Sequence, residues 1–189
     1  MKHFNNLILA SKSPRRKQLL EAAGYSFEVK TIEFDEIFPA EMDKNQVAEY
    51  LAIEKNKAHR KEFNDEIIIT ADTVVLDQNT ILGKPKDLTE AKEVLTQLSG
   101  KVHSVISGVC ISNRSKTVSF SNVTEVKFRL LEEDEISYYL SSEPPLDKAG
   151  SYGIQDWIGL VGVEWIKGSY YNVVGLPVDE LHQILKEQF

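Results

Sequence analysis

The segment Ser11-Lys12-Ser13-Pro14-Arg15-Arg16 places two guanidiniums where a helix is about to begin. A helix N-terminus carries roughly half a positive charge, and its first N–H groups lack intrahelical partners. Acidic residues would suit that position, whereas exposed, unpaired arginines there cost about 0.3–1 kcal/mol each. The arrangement becomes favourable when an anion such as phosphate sits at the helix end, held by backbone N–H, serine hydroxyls and guanidinium forks. A solvated basic turn paired with nearby carboxylates would account for the same residues. The placement of Arg15 and Arg16 favours the anion.

A second signal is Asp72, set inside the apolar run Ile67–Leu76. Strand alternation puts it on one face with Ile68, Thr70 and Val74, and puts Ile67, Ile69, Ala71, Thr73 and Val75 on the other. A carboxylate inside such a strand must be hydrogen-bonded, paired or metal-bound, because burying it alone costs several kcal/mol. It reads either as a structural Asp or as a metal ligand or general base. The acidic trio Glu33, Asp35 and Glu36 could share a divalent cation with it, since Mg²⁺ needs only one or two carboxylates beside phosphate oxygens. Such a trio also reads as a solvated loop. Lys55 lies at the flank of an apolar helix face and is the better inward-facing cation, whereas Lys57 points away. Gly83-Lys84-Pro85 is no Walker A loop, and Lys84 gains interest only through its nearness to Asp72 in the chain. Gln155, in the glycine-bearing run Asp147–Gln155, could read a base edge.

These residues need elements to hold them. Leu7–Ala10 reads as a short buried strand. A helix follows, capped by Ser13 with Pro14 at its first position and Gly24 just past its end; Leu19, Leu20 and Ala23 form its apolar face. Phe27–Ile32 reads as a strand before the acidic loop Glu33–Glu41. Asn45–Phe63 reads as a helix with Val47, Leu51 and Ala58 inward. Thr80–Leu82 pairs back on Ile67–Leu76, and Thr89–Leu98 forms a helix stopped at Gly100. Val102–Ser112 and Thr117–Arg129 form a hairpin around Asn113–Lys116. Glu132–Leu140 is helical, residues 150–162 form a glycine-rich loop, and a last hairpin turns at Lys167-Gly168-Ser169. The final helix starts near Pro177. Strands and helices alternate early and hairpins gather late, so the sheet is mixed and the class α/β.

Composition narrows the function. The 189 residues fit a single domain over 1–189, and the formal net charge of −7 argues against a protein that coats DNA or RNA. Five cations (Lys2, Lys12, Arg15, Arg16, Lys17) stand among the first twenty residues with no acid, so positive charge is concentrated where an anion would bind. Cys110 is the only cysteine, which excludes an intrachain disulfide or a Cys-rich zinc site. His3, His59, His103 and His182 lack metal-ligand spacing and read as surface or satisfied residues. Trp157 and Trp165 read as packing. No stretch has signal-peptide or membrane-span character, so the expected location is cytoplasmic, with no membrane partner.

Taken in order, Leu9-Ala10-Ser11-x-Ser13-Pro14-Arg15-Arg16, Ala71-Asp72-Thr73, Gly83-Lys84-Pro85, Ser99-Gly100-Lys101-x-His103 and Asp147-Lys148-Ala149-Gly150-x-Tyr152-Gly153-Ile154-Gln155 resemble the Maf family of nucleoside triphosphate pyrophosphatases. Tyr170-Tyr171-x-Val173-x-Gly175-Leu176-Pro177 extends the likeness over essentially the whole chain. The resemblance implies a mixed twisted sheet with flanking helices, two lobes around a cleft similar to inosine triphosphate pyrophosphatases, and often a homodimer. It implies hydrolysis of a nucleoside triphosphate to monophosphate and pyrophosphate with a divalent metal, Mg²⁺ or Mn²⁺. By that resemblance Asp72 is the catalytic acid residue and a metal ligand with Glu36, while Ser11, Arg15, Arg16, Lys55 and Lys84 bind substrate. Arg15, Thr73 and Gln155 match the branch acting on dTTP and UTP. The role so implied is limiting the incorporation of unwanted nucleotides, with a link to cell division arrest. Two other readings stay open: a pyrophosphatase for modified purine nucleotides, and a non-catalytic nucleotide-binding regulator of septum formation.

Overall fold

A computed structural model describes Phe4 and residues 6–189; Lys2 and His3 lie outside the described residues. The chain runs β1 (Leu7–Leu9), α1 (Pro14–Ala22), β2 (Glu28–Val29), α2 (Val47–Arg60), β3 (Ile67–Asp77), β4 (Thr80–Leu82), α3 (Leu88–Leu98) and β5 (Val102–Ser112). It continues with β6 (Thr117–Phe128), α4 (Glu133–Ser142), α5 (Trp157–Gly162), β7 (Val163–Lys167), α6 (Tyr170–Val174) and α7 (Val178–Gln188). The strands make a seven-stranded sheet in the order β2-β1-β3-β5-β6-β7, with β4 paired to β3. β1 lies parallel to β2 and β3, with Leu7, Ile8 and Leu9 opposite Ile67, Ile68 and Ile69. The β3–β4 and β6–β7 pairs are antiparallel, so the sheet is mixed as the element pattern requires.

The chain divides into two compact units. The first takes the chain through Asp72, together with Ser107–Asn122 and Gly175–Phe189; the second takes Thr73–Ile106 and Val123–Val174. β3, β5 and β6 each contribute residues to both.

The first unit's core joins Leu7, Leu9, Ile69, Ala71, Val109 and Ile111 of the sheet to Leu20 of α1 and Leu181 and Leu185 of α7. Ser13 caps α1 by accepting the Arg16 N–H, and Gly24 takes φ +80 just beyond the helix. α2 lies so close to β5 that a Cβ on Gly108 would collide with the Ala48–Glu49 backbone. Its inward face is more polar than periodicity suggests. Asn56 and His59 are buried, whereas Ala58 is half-buried. Asn56 is tolerated there because its Nδ2 donates to the carbonyls of Ile68 and Cys110, both at 3.2 Å.

The second unit's core gathers Val75, Leu82, Leu95, Leu98, Val126, Phe128, Tyr139, Tyr152 and Ile158. α3 is capped by Asp87, whose carboxylate accepts from Glu90 N at 2.9 Å. α4 begins with a reciprocal capping box between Glu132 and Glu135.

Three sequence expectations change. β2 covers only Glu28–Val29. The glycine-rich stretch contains helix α5, because Gly159 lets the chain pass the Ile154 carbonyl where any Cβ would clash. The turn at Lys167-Gly168-Ser169 leads into α6 rather than a returning strand. There Ser169 Oγ accepts from Asn172 N at 3.3 Å, and buried Asn172 donates to Val105 O and Thr124 Oγ1.

Candidate active site

In the first unit, Arg16 turns back from the start of α1. Its Nη1 donates to Ser11 Oγ at 3.2 Å and to Ala71 O at 2.9 Å, and its Nε donates to Gly175 O at 2.8 Å. One guanidinium therefore joins the segment after β1, the residue before Asp72 and the approach to α7. Ser11 Oγ also accepts from Ser13 N at 3.2 Å, which fixes the turn into the helix. Burial lowers the Arg16 pKa; the carboxylates of Asp72 and Glu36 oppose that shift, and neighbouring Arg15 adds to it. The guanidinium remains charged. Arg15 is half-buried.

The second feature of this unit centres on Lys55. Its ammonium donates to Glu36 Oε1 at 2.7 Å and also contacts Asp72 Oδ2. The Lys55 side chain is 14% exposed, whereas that of Lys57 is 66% exposed, so the inward assignment of Lys55 holds. Asp72 is buried on β3, and Glu36 reaches Lys55 from the exposed acidic loop. Glu36 is thereby the member of the acidic trio brought to Lys55.

His59 explains part of this positioning. Its Nδ1 sits 2.7 Å from Lys55 O, and its Nε2 accepts from Ile32 N at 3.3 Å. A carbonyl only accepts and an amide N–H only donates, so Nδ1 carries the hydrogen. The ring couples the last turns of α2 to the segment that enters the acidic loop. The sequence reads His59 as a surface or satisfied residue; it is buried and satisfied, and nothing in its spacing signals this role.

Two carboxylates from different elements thus converge on one cationic centre. Among the described residues no group of three or more His, Cys, Asp or Glu could hold a metal ion. Asp72 and Glu36 nevertheless fit a hard divalent cation that takes its remaining ligands from phosphate and water, since they already gather around the Lys55 ammonium.

In the second unit, Thr73 follows Asp72 on β3 and is half-buried. Lys84 is exposed in the loop after β4. That loop is tied to the segment bearing Gln155 by a bond from Gly150 N to Gly83 O at 3.1 Å. Gly150, at φ +70, packs against Val75, where a Cβ would come within 2.8 Å. Gln155 is exposed, and its Nε2 donates to Asp156 Oδ1 at 2.9 Å. Tyr152 anchors the same segment inward through a 2.7 Å contact with His103 Nε2. Burial pushes the His103 pKa down to about 4, and Asp77 opposes that shift. Nothing in the sequence marks Asp156 or His103 as a residue of the site. The only local signal for Asp156 is an acid placed directly after Gln155.

The sheet order and flanking helices define the class of protein. The Ham1 protein of Staphylococcus aureus shares the fold at TM-score 0.59 and 14% identity, over 98% of this chain and 100% of that one. A HAM1 protein from Coxiella burnetii aligns at TM-score 0.53 and 16% identity, over 96% and 98% of the two chains. At these identities the likeness is one of fold.

Residues 6–188 match the family described as Maf-like protein, and the chain belongs to the Maf family. A dTTP/UTP pyrophosphatase of Phocaeicola vulgatus is 49% identical over 183 residues, covering 96% of this chain and 95% of the relative. One from Cytophaga hutchinsonii is 44% identical over 187 residues, covering 99% and 86%.

Proposed function

We propose that this protein is a nucleoside triphosphate pyrophosphatase that hydrolyses dTTP and UTP to the monophosphate and pyrophosphate. The observation that carries the chemistry is the convergence of Asp72 and Glu36 on Lys55 beside Arg16. Family membership and relatives named dTTP/UTP pyrophosphatase support the substrate.

In this reading Ser11, Arg15 and Arg16 hold phosphate oxygens, with Lys55 and Lys84 assisting. Asp72 and Glu36 hold Mg²⁺ or Mn²⁺, which when bound neutralises phosphate charge. Water adds across the α–β phosphoanhydride; its oxygen joins the nucleotide phosphorus, the bridging P–O bond breaks, and pyrophosphate departs with its charge met by the cations. Asp72 orients the water and accepts its proton. Arg16 contributes by fixing Ser11 and the Ala71–Asp72 backbone as well as by charge. Thr73 and Gln155, with Arg15, select the base.

The working setting proposed is the cytoplasm, and among the described residues no helix is long and apolar enough to cross a membrane. The homodimer rests on family resemblance and is read directly by solution mass. A pyrophosphate-release screen over dTTP, UTP, ITP and 7-methyl-GTP, with Mg²⁺ and with Mn²⁺, tests the reading. Preferential release from dTTP and UTP supports it. Preference for ITP or 7-methyl-GTP turns the assignment to modified purines, and nucleotide binding without release turns it to a regulator.

A further inference from the structure

Asp156 sits at the centre of a small network within the second unit whose hydrogen-bond polarity can be assigned throughout. Gly153 N donates to Tyr139 Oη at 3.3 Å, and Tyr139 Oη donates to Asp156 Oδ2 at 2.9 Å. Lys148 Nζ lies 3.3 Å from the same oxygen. The other oxygen, Oδ1, accepts from Gln155 Nε2 at 2.9 Å. An ionised carboxylate only accepts, so the amide of Gln155 must turn its NH₂ towards Asp156 and its carbonyl away. Gly153 keeps space for the pair, since a Cβ there would come within 2.6 Å of Asp156 Oδ2 and 2.7 Å of Gln155 Nε2.

The sense of that amide matters to a base. Uracil and thymine present an N3–H donor flanked by carbonyl oxygens. Cytosine presents an N3 acceptor beside an N4 amino donor. A Gln side chain free to rotate by half a turn can complement either edge. One that faces N3 with its carbonyl outward offers an acceptor to the uracil or thymine N3–H and meets the cytosine N3 with a repulsive lone pair.

Resting on the function proposed above, we propose that Asp156 is a specificity-positioning residue that locks the Gln155 amide in the sense that accepts from uracil and thymine and rejects cytosine. Tyr139 and Lys148 make the lock directional. Both present hydrogens to Oδ2, so in Asp156→Asn they hold the new side chain's carbonyl at that place. The Asn NH₂ then occupies the former Oδ1 position and calls for the Gln155 carbonyl. The Gln155 amide turns over and its NH₂ faces outward, the sense that suits cytosine. Asp156→Ala removes the lock without imposing the opposite one.

The test is equilibrium binding of the α,β-imido analogues of dUTP and dCTP, with pyrophosphate release from dTTP, UTP, dCTP and CTP measured alongside. The wild type prefers the uracil analogue by about tenfold or more, the scale of one well-made base-edge contact. Asp156→Asn cancels or inverts that ratio, and Asp156→Ala brings it towards one. Melting of each variant is followed to show that it is folded. A general loss of packing would weaken both analogues together and leave the ratio where it was. An unchanged ratio in both folded variants overturns the proposal, as does equal binding of the two analogues by the wild type. Should pyrophosphate release be absent while the binding ratio responds as stated, the hydrolytic reading fails and the locking role of Asp156 stands.

Discussion

Lys55 and Asp156 organise their surroundings with opposite charge logic. In the first unit one ammonium gathers two carboxylates, Glu36 and Asp72, and the arrangement is defined by charge rather than by donor direction. In the second unit one carboxylate gathers a phenol, an ammonium and an amide, and each donor has one permissible sense. A charge-defined cluster can exchange one cation for another with little rearrangement. A direction-defined network resists exchange and instead reports which way a neighbouring group points. The first suits phosphate and metal chemistry, and the second suits reading a base edge.

The strongest way to break this contrast is to neutralise the buried carboxylate. Asp72→Asn removes the proposed proton acceptor and its proposed metal-binding charge while keeping the shape. We expect kcat for dTTP at saturating Mg²⁺ to fall about a thousandfold, within the range for loss of a general base. The fall should be equal for dTTP and UTP, because the base-reading network is untouched. Steady-state kinetics on both nucleotides would check this, and a variant that retains full turnover would remove Asp72 from the mechanism.

A second effect belongs to the base-reading side. His103 is buried, and its pKa falls from 6.5 to about 4. The unfolded chain therefore binds a proton that the folded chain refuses between those values. Stability from this group is present above pH 6.5 and is lost as pH falls towards 4. Urea unfolding should show a loss of about 2–3 kcal/mol attributable to His103 between neutrality and about pH 4.5, given ~1.4 kcal/mol per pH unit. His103→Gln should remove that component of the slope. If the two proteins lose stability in parallel, the ring is not held neutral.

Arg16 supplies a smaller test on the phosphate side. A lysine cannot reach Ser11 Oγ, Ala71 O and Gly175 O together, since it lacks the planar fork. Arg16→Lys should cost about 1–2 kcal/mol in denaturant unfolding, from strained or lost bonds to two carbonyls and a hydroxyl. It keeps the positive charge, so a loss of this size separates bracing from simple attraction to phosphate.

The parts of the molecule legible in the sequence are those encoded by neighbours in the chain. Ser13, Pro14 and Gly24 bound α1, the apolar run marks β3, and Asn113–Lys116 marks the β5–β6 hairpin. Tertiary contacts decide the rest. Tyr170–Val174 has the composition of a strand, but Asn172 finds acceptors on Val105 and Thr124 and the segment coils. α5 hides behind its glycines, which serve close approach rather than flexibility. In the site, Arg16 and Asp72 could be singled out because each has the wrong charge for its local setting, Lys55 because it flanks an apolar helix face, and Ser11 through the helix-start motif that it belongs to. Local sequence could not separate Glu36 from Glu33 and Asp35, because a loop has no periodicity; only the family resemblance pointed to it. Asp156 was invisible because its importance lies in the direction of one amide.

The finest test returns to Lys55, the exchangeable cation of the first cluster. Lys55→Met preserves the apolar stem and removes the ammonium, leaving Asp72 and Glu36 without their shared partner. Glu36 is 47% exposed and screened by water, but the Asp72 side chain is only 11% exposed, so most of the cost without metal comes from Asp72 and should be about 3 kcal/mol. At the proposed metal site, added Mg²⁺ competes with the Lys55 ammonium in the wild type, and that competitor is absent from the variant. The melting temperature of Lys55→Met should therefore rise more steeply with Mg²⁺ than that of the wild type, by the linkage between binding and folding. Asp156→Asn should leave the wild-type Mg²⁺ response unaltered, because no metal ligand is proposed in its network. Equal Mg²⁺ responses in wild type and Lys55→Met would mean that the ammonium and the metal do not compete, and the charge-exchange view of this cluster would fall.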